Sequence, residues 1–220
     1  MLYYERHARR QGYSVIVGID EAGRGPLAGP VVVAAVYLKT YKFKARIDDS
    51  KKLSAAAREE AFKEFSGKSI YGVGMANEGA IDAVRICGAL DVAVTDAATK
   101  ALAGIKRPKP GPGNTILLFD GALACGLGYP SKEIIGGDGK SLSIAAASIV
   151  AKVVRDRLMM IYDRIWPQYG FRSHKGYGTR EHMLAIARFG LCPIHRRTFC
   201  EHLNVRAKRA SSELSTLTWK

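Results

Sequence analysis

Val15-Ile16-Val17-Gly18-Ile19-Asp20-Glu21-Ala22-Gly23-Arg24-Gly25-Pro26 joins an apolar run to two adjacent carboxylates and a glycine-flanked arginine. Val15 to Ile19 is mostly β-branched and has no polar side chain, which predicts a short buried strand. Asp20 and Glu21 then stand where the strand leaves the core. Carboxylates there are costly unless a counter-charge meets them, and a hard cation bound by oxygens is one such partner. Gly23 and Gly25 let a ligand approach the backbone closely, with the Arg24 charge beside it. Taken alone, an Asp-Glu pair of this kind is more simply an acidic turn capping a strand. The rest of the chain changes that reading.

The 220 residues fit one large domain, or a domain with an appendage. Hydrophobic residues make up 47%, enough for a substantial core and too many for a disordered chain. Lys and Arg number 34 against 20 Asp and Glu, a net charge of +14 that points to a polyanionic partner, most simply nucleic acid. The basic residues are spread along the chain and mark no patch. No stretch reaches the roughly 18 apolar residues of a membrane span, and residues 1–12 lack an apolar signal core. Cys87, Cys125, Cys192 and Cys200 form no CxxC and suit a reducing compartment. The expectation is a cytoplasmic protein with no membrane partner.

A second β-branched run, Val31 to Leu38, follows a Gly/Pro-rich connection and suggests an antiparallel hairpin with the first. Ser54 can cap a helix through about Phe65, and Ser69 to Met75 reads as a third strand. Asn77 can cap a helical region from Ile81 to about Leu102, broken near Gly88. Thr115 to Phe119 is a fourth strand, and Glu133 to Gly137 a short strand-like piece. Ser141 to Trp166 reads as one long helix stopped by Pro167. Phe171 to Thr179 is a loop carrying His174, Lys175 and Tyr177, and Arg180 to Phe189 a helix ending at Gly190. A strand meander followed by alternating helices and strands makes a mixed α/β domain over residues 1–199. Residues 200–220 read as a basic, polar tail, a short helical appendage.

Two of these strands run straight into a carboxylate: Ile19 into Asp20, and Phe119 into Asp120. If they are neighbours in one sheet, their ends meet at one edge, and Asp138, just before the long helix, can join them. Converging carboxylates repel, and some stay protonated at neutral pH. Divalent metal resolves the conflict. Mg²⁺ takes a few carboxylates, waters and substrate phosphate oxygens, and two ions about 4 Å apart can serve phosphodiester hydrolysis. A basic protein with an acidic pocket fits a nuclease. Lys51, Lys52, Ser148 and Lys152 are candidate phosphate contacts.

Asp20-Glu21-Ala22-Gly23-Arg24-Gly25-Pro26-Leu27-Ala28-Gly29-Pro30 resembles the signature of the ribonuclease HII family. The likeness continues in order through Asp49-Ser50-Lys51-Lys52-Leu53-Ser54, Asp120-Gly121, Gly137-Asp138, Ile144 to Ile149, Ala151-Lys152-Val153 and Arg155-Asp156. His174-Lys175-Gly176-Tyr177-Gly178-Thr179 and His195-Arg196-Arg197 complete it. The sister type, ribonuclease HIII, carries lysine where Arg24 stands. The resemblance implies a ribonuclease H-like α/β fold, a mixed five-stranded sheet flanked by helices. It implies hydrolysis of the RNA strand of RNA/DNA hybrids, and incision 5′ of single ribonucleotides embedded in duplex DNA. A two-metal-ion mechanism with Mg²⁺ or Mn²⁺ would leave 3′-OH and 5′-phosphate ends. Carried over residue by residue, Asp20, Glu21, Asp120 and Asp138 are the catalytic metal carboxylates. Gly23, Arg24, Gly25 and Tyr177 would read the ribonucleotide, whose 2′-OH is the main handle distinguishing RNA from DNA. A monomer is the expected state, and nothing in the residues supports a contact with a replication clamp. The chain departs from the family pattern at Arg85, where Asn is expected, and at Thr198, where Ser is usual.

Other readings are weaker. Gly139-Lys140-Ser141 lacks the first glycine that a phosphate-binding P-loop needs, because Ile134 stands there. Cys192, His195, Cys200 and His202 match no common zinc spacing. His174 could be a general base, but a loop histidine more often holds backbone or phosphate. Asp156 could approach the site or pair with an arginine. A non-catalytic duplex binder would gain nothing from clustering acids against a polyanion. A resolvase or integrase would have no 2′-OH to read.

Overall fold

The structure is a computed structural model that describes residues 1–121 and 126–201. Val15–Ala22 (β1) lies at the centre of a sheet. Val31–Leu38 (β2) pairs with it antiparallel, and Ser69–Ala76 (β3) extends the meander. On its other side, Thr115–Asp120 (β4) and Ser131–Ile134 (β5) run parallel, giving the order β3-β2-β1-β4-β5. The helices among the described residues are Tyr3–Arg10 (α1), Ala55–Ser66 (α2), Glu78–Gly104 (α3), Leu142–Ile165 (α4), Phe171–His174 (α5) and Arg180–Phe189 (α6), with a further helical turn at 197–201. This is the mixed five-stranded sheet flanked by helices that the resemblance implied.

Both faces of the central strands are buried, which is why they read as unbroken apolar runs. Val17, Ile19, Val33, Ala35 and Phe119 pack with Ala93, Ala97 and Ala101 of α3. Ala34 and Val36 pack on the opposite face with Phe65 of α2 and Ala146 and Val150 of α4. Small residues let α4 lie directly on the sheet. A Cβ on Gly18 would stand 2.1 Å from the Ser143 carbonyl carbon and 2.4 Å from the Ile144 nitrogen.

Ser54, Asn77, Ser141 and Thr179 cap their helices through side-chain oxygens, so the starts of α2, α3, α4 and α6 follow the polar residue before each apolar run. Other boundaries differ from the sequence reading. β1 continues through Asp20 and Glu21 to Ala22, because β2 still pairs with it there. The last strand ends at Ile134, because Gly136 turns left-handed (φ 63°) and Gly137–Gly139 curls into a 3₁₀ turn. The break in α3 falls at Arg85 (φ 62°), not at Gly88. Arg85 is one of the two departures from the family pattern, and its backbone (φ 62°, ψ 167°) is one that a side chain rarely adopts. The other departure, Thr198, donates its hydroxyl to Asp82 at 2.7 Å, as a serine could. α1 and α5 are additions: the first was unread, and the second lies in the expected loop. Cys125, His202 and the tail beyond 201 lie outside the described residues.

α1 has a specific anchor. Glu5 is buried and accepts from Ser141 Oγ at 2.6 Å and from the Ser143 amide at 2.9 Å. Its charge thus sits at the N-terminus of α4, where the helix dipole favours it. Among the described residues, no helix is long and apolar enough to cross a membrane.

The Gly18 contact can be tested. Gly18→Ala forces a methyl against helix backbone that cannot rotate away, so it should cost about 3 kcal/mol, the upper range for overpacking. Urea denaturation that finds parental stability would show that α4 does not rest on β1.

Candidate active site

Parallel pairing aligns Ile19 with Phe119, so the next residues, Asp20 and Asp120, stand side by side on adjacent strands. β5 pairs Asp120 with Ile134, and the 3₁₀ turn then brings in Asp138. Asp20, Asp120 and Asp138 each offer a carboxylate oxygen, and these oxygens lie within 4.8 Å of one another. Asp20 and Asp138 are buried. The Glu21 amide donates to Asp20 Oδ1 at 2.7 Å, and the Gly137 amide to Asp120 Oδ1 at 2.6 Å. Glu21 stands beside this trio. Side chains alternate along a strand, so it faces away from Asp20, and its carboxylate is 3.6 Å from the Arg24 guanidinium.

The charges conflict as the sequence implied. Burial holds the Asp20 carboxyl well above its ordinary value, and the charges of Glu21, Asp120 and Asp138 add to it. Burial and the charge of Asp120 also raise Asp138. Burial raises Glu21 against the opposing pull of Arg24. Lys51 Nζ lies 3.8 Å from Asp138 Oδ2, so the site has one partial counter-charge that the sequence reading did not place there. Lys51 is largely exposed, which weakens its pull. Oxygen-only donors carrying unrelieved negative charge suit a hard divalent cation.

Beside the trio is a cleft of about 250 Å³ lined by Glu21, Ala22, Gly23, Arg24, Gly25, Ser50, Lys51, Ser148, Lys152 and Tyr177. Arg24 and Tyr177 are exposed in it. Ser148 is buried and gives its hydroxyl to Ser50 Oγ at 2.7 Å, so it steadies the loop carrying Lys51. Lys152 donates to Asp156 at 2.8 Å, and Arg58 lies 3.6 Å from the same carboxylate. Asp156 is therefore an ion-pair residue. Lys52 is not part of the lining, and lies 3.9 Å from both Asp48 and Asp49.

Two buried arginines hold this cleft together. Arg196 donates to the carbonyls of Gly23 (2.6 Å), Arg24 (3.0 Å) and Gly29 (2.7 Å). Arg155 donates to the carbonyls of Pro30 (3.0 Å), Ala28 (3.0 Å) and Lys175 (2.9 Å). Burial and the neighbouring Arg155 charge bring Arg196 down to about 10. Neither role was legible in the sequence, because a lone arginine in a basic chain reads first as a surface residue. His174 uses both ring nitrogens on backbone, meeting Tyr169 O at 2.8 Å and accepting from the Gly176 amide at 3.1 Å. Cys192 Sγ meets His195 Nδ1 at 3.1 Å, whereas the buried Cys200 makes a long contact with Leu27 O.

A family profile described as Ribonuclease HII matches residues 17–202. The chain belongs to the ribonuclease HII family. Ribonuclease HII of Geotalea uraniireducens is 50% identical over 200 residues, covering 90% of this chain and 88% of that one. Ribonuclease HII of Syntrophotalea carbinolica is 48% identical over 199 residues, covering 90% and 91%. Among solved structures, the PCNA:RNase HII complex from Archaeoglobus fulgidus matches with a TM-score of 0.65 at 26% identity, over 82% of this chain and 91% of that one. As a ribonuclease HII, the chain is a metal-dependent endoribonuclease acting on RNA/DNA hybrids.

The raised Asp20 pKa has a consequence for stability. The folded state holds the proton more tightly than the unfolded chain, so metal-free stability is greatest where Asp20 is protonated and falls as pH rises through its folded value. In chelator at neutral pH, Asp20→Asn should therefore melt above the parent, and the gap should close on acidification. A variant that melts lower at every pH would contradict the charge conflict.

Proposed function

We propose that Asp20, Glu21, Asp120 and Asp138 hold two divalent ions, Mg²⁺ or Mn²⁺. We propose further that the enzyme incises 5′ of single ribonucleotides embedded in duplex DNA as well as cutting hybrids, leaving 3′-OH and 5′-phosphate ends. The observation that carries this is the meeting of three aspartates from three separate segments, beside a cleft with a glycine turn and an exposed tyrosine. When bound, the ions supply charge neutralisation at the phosphodiester and activation of the attacking water. The protein's part is to hold four carboxylates at one sheet edge and to present the strand to them.

The glycine turn suits recognition of the 2′-OH. Arg196 takes the carbonyls of Gly23 and Arg24. In a trans peptide the N–H points opposite to the C=O, so the Arg24 and Gly25 amides are directed away from Arg196. Amides rather than carbonyls are then the turn's free groups, and they suit the oxygens of a 2′-OH or phosphate. Tyr177 faces the same cleft and offers a flat ring and a hydroxyl to the sugar. Arg24, Lys51 and Lys152 supply positive charge to the backbone on either side, and Lys52 adds to it from outside the lining. Ser148 contributes by fixing Ser50. Residues 1–199 form the catalytic domain in this reading, with 200–220 as an appendage. The enzyme acts as a cytoplasmic monomer on hybrids and ribonucleotide-containing duplexes.

The test is a duplex with one embedded ribonucleotide, assayed with and without Mg²⁺, with the product ends mapped. Cleavage should require the ion and fall on the 5′ side of the ribonucleotide. Asp20→Asn should reduce turnover to background while hybrid binding is retained. Tyr177→Ala should lower incision about tenfold or more, a loss of about 1.4 kcal/mol in transition-state stabilisation. Parental turnover by Asp20→Asn would remove Asp20 from the metal site, and parental incision by Tyr177→Ala would remove the tyrosine from recognition. Duplex binding should also weaken with salt by roughly 0.9 log-log units per neutralised phosphate, and a flat salt response would contradict the role given to the basic residues.

A further inference from the structure

We infer that His182 and His195 are positioning residues that fix the Tyr177 backbone from behind, so that the tyrosine ring meets the ribonucleotide in one orientation. The inference rests on the proposed role of Tyr177. Both histidines are buried, on segments that carry no other part of the metal site. His182 Nδ1 lies 2.9 Å from the Tyr177 carbonyl oxygen. His182 Nε2 lies 3.1 Å from His195 Nε2. His195 Nδ1 accepts from the Cys192 amide at 2.9 Å.

This chain of contacts allows one arrangement of protons. A carbonyl can only accept, so His182 carries its proton on Nδ1 and presents a lone pair on Nε2. His195 must then donate from its own Nε2, which leaves its Nδ1 as an acceptor. That is the nitrogen the Cys192 amide reaches, and the Cys192 thiol at 3.1 Å can donate there as well. The Cys192 carbonyl, 3.2 Å from the same nitrogen, is a neighbour and not a partner. Both rings are therefore neutral with one proton each. A further proton on either would set N–H against N–H in a buried site. Consistently, burial and the neighbouring histidines bring His182 down to about 4.

The rest of the loop is tied as firmly. His174 stacks on His182 with ring centroids 4.3 Å apart. Arg155 holds the Lys175 carbonyl, and the Gly176 carbonyl accepts from the Leu27 amide at 2.9 Å. His182 takes the Tyr177 carbonyl. Its side chain is thus the link between Tyr177 and the segment that Arg196 anchors to the glycine turn. An apolar pair of the same volume could fill this space without desolvating two imidazoles. The Thr179 amide also donates to the Tyr177 carbonyl, at 2.8 Å, within the loop itself. What the histidines add is a directed hydrogen bond to that carbonyl from outside the loop, and orientation is what a recognition residue needs.

A double-mutant cycle tests the inference. His182→Leu removes the donor, and His182→Asn keeps one, because the Asn amide nitrogen can occupy the place of Nδ1. Single-turnover incision at an embedded ribonucleotide should fall about tenfold in His182→Leu and recover to within about threefold of the parent in His182→Asn. In a Tyr177→Ala background, His182→Leu should cause no further loss. Should His182→Leu fail to fold by circular dichroism, His182→Gln replaces it, since its nitrogen lies one bond too far out to stand in for Nδ1. Impaired Tyr177→Ala with a further tenfold loss from the second change would overturn the inference alone. So would parental incision by folded His182→Leu, or no recovery in His182→Asn. Parental incision by Tyr177→Ala would overturn the reading of Tyr177 itself, and the inference with it.

Discussion

Like charges held together against their repulsion are the constraint around which this molecule is built. Asp20 and Asp120 cannot separate, because the strands that carry them are paired in parallel up to the preceding residue. Asp138 cannot withdraw, because the turn that carries it joins β5 to the start of α4. α4 in turn is seated on Gly18, two residues before Asp20 on the same face of β1. The cost of this crowding appears in the raised pKa values of Asp20 and Asp138. Hydrogen bonds and packing spread through the whole sheet sustain it, including the Glu5 anchor at the far end of the chain.

The recognition side is held by the opposite device. Arg155 and Arg196 are buried cations whose hydrogen bonds go to backbone carbonyls of loops that have no regular structure of their own. A buried loop must satisfy its carbonyls somewhere. A guanidinium does so in several directions at once and fixes the relative placement of the segments it joins. Arg196 ties the glycine turn to the segment after α6, and Arg155 ties α4 to the loop before Tyr177. The cleft is thus assembled from sequence-distant pieces by side chains that never reach its surface.

What could be read in advance follows from the range of the interactions. Strand runs and helix caps are local, so Val15 to Ile19, Val31 to Leu38 and the caps at Ser54 and Asn77 were legible. The convergence of Asp20, Asp120 and Asp138 was legible as well, because two apolar strands each run into a carboxylate and a third stands just before the long helix. That Glu21 stands beside them with its carboxylate near Arg24 was not legible, because sequence adjacency hides strand alternation. α1 was missed because its burial depends on Glu5 meeting Ser141, a contact 136 residues apart. The roles of Arg155, Arg196 and His195, which lie within the family-like motifs, and of His182, which lies outside them, were not legible. Their partners are backbone carbonyls and one another, and no residue pattern announces a carbonyl that needs a donor.

Charge also explains why so basic a chain keeps so acidic a pocket. A phosphodiester approaching bare carboxylates meets repulsion that grows as water is excluded. The net charge of +14 acts over the length of a duplex but cannot cancel repulsion at a few ångströms, where Lys51 and Arg24 stand against the acids. Arg24 is already engaged with Glu21, and Lys51 with Asp138. Neither is free to neutralise both the acids and an incoming phosphate. A divalent ion removes the conflict on both sides at once, since it satisfies the carboxylates and leaves coordination positions for phosphate oxygens. The requirement for metal therefore follows from the arrangement of fixed charges: aspartates crowded at one sheet edge repel a substrate phosphate unless a cation lies between them.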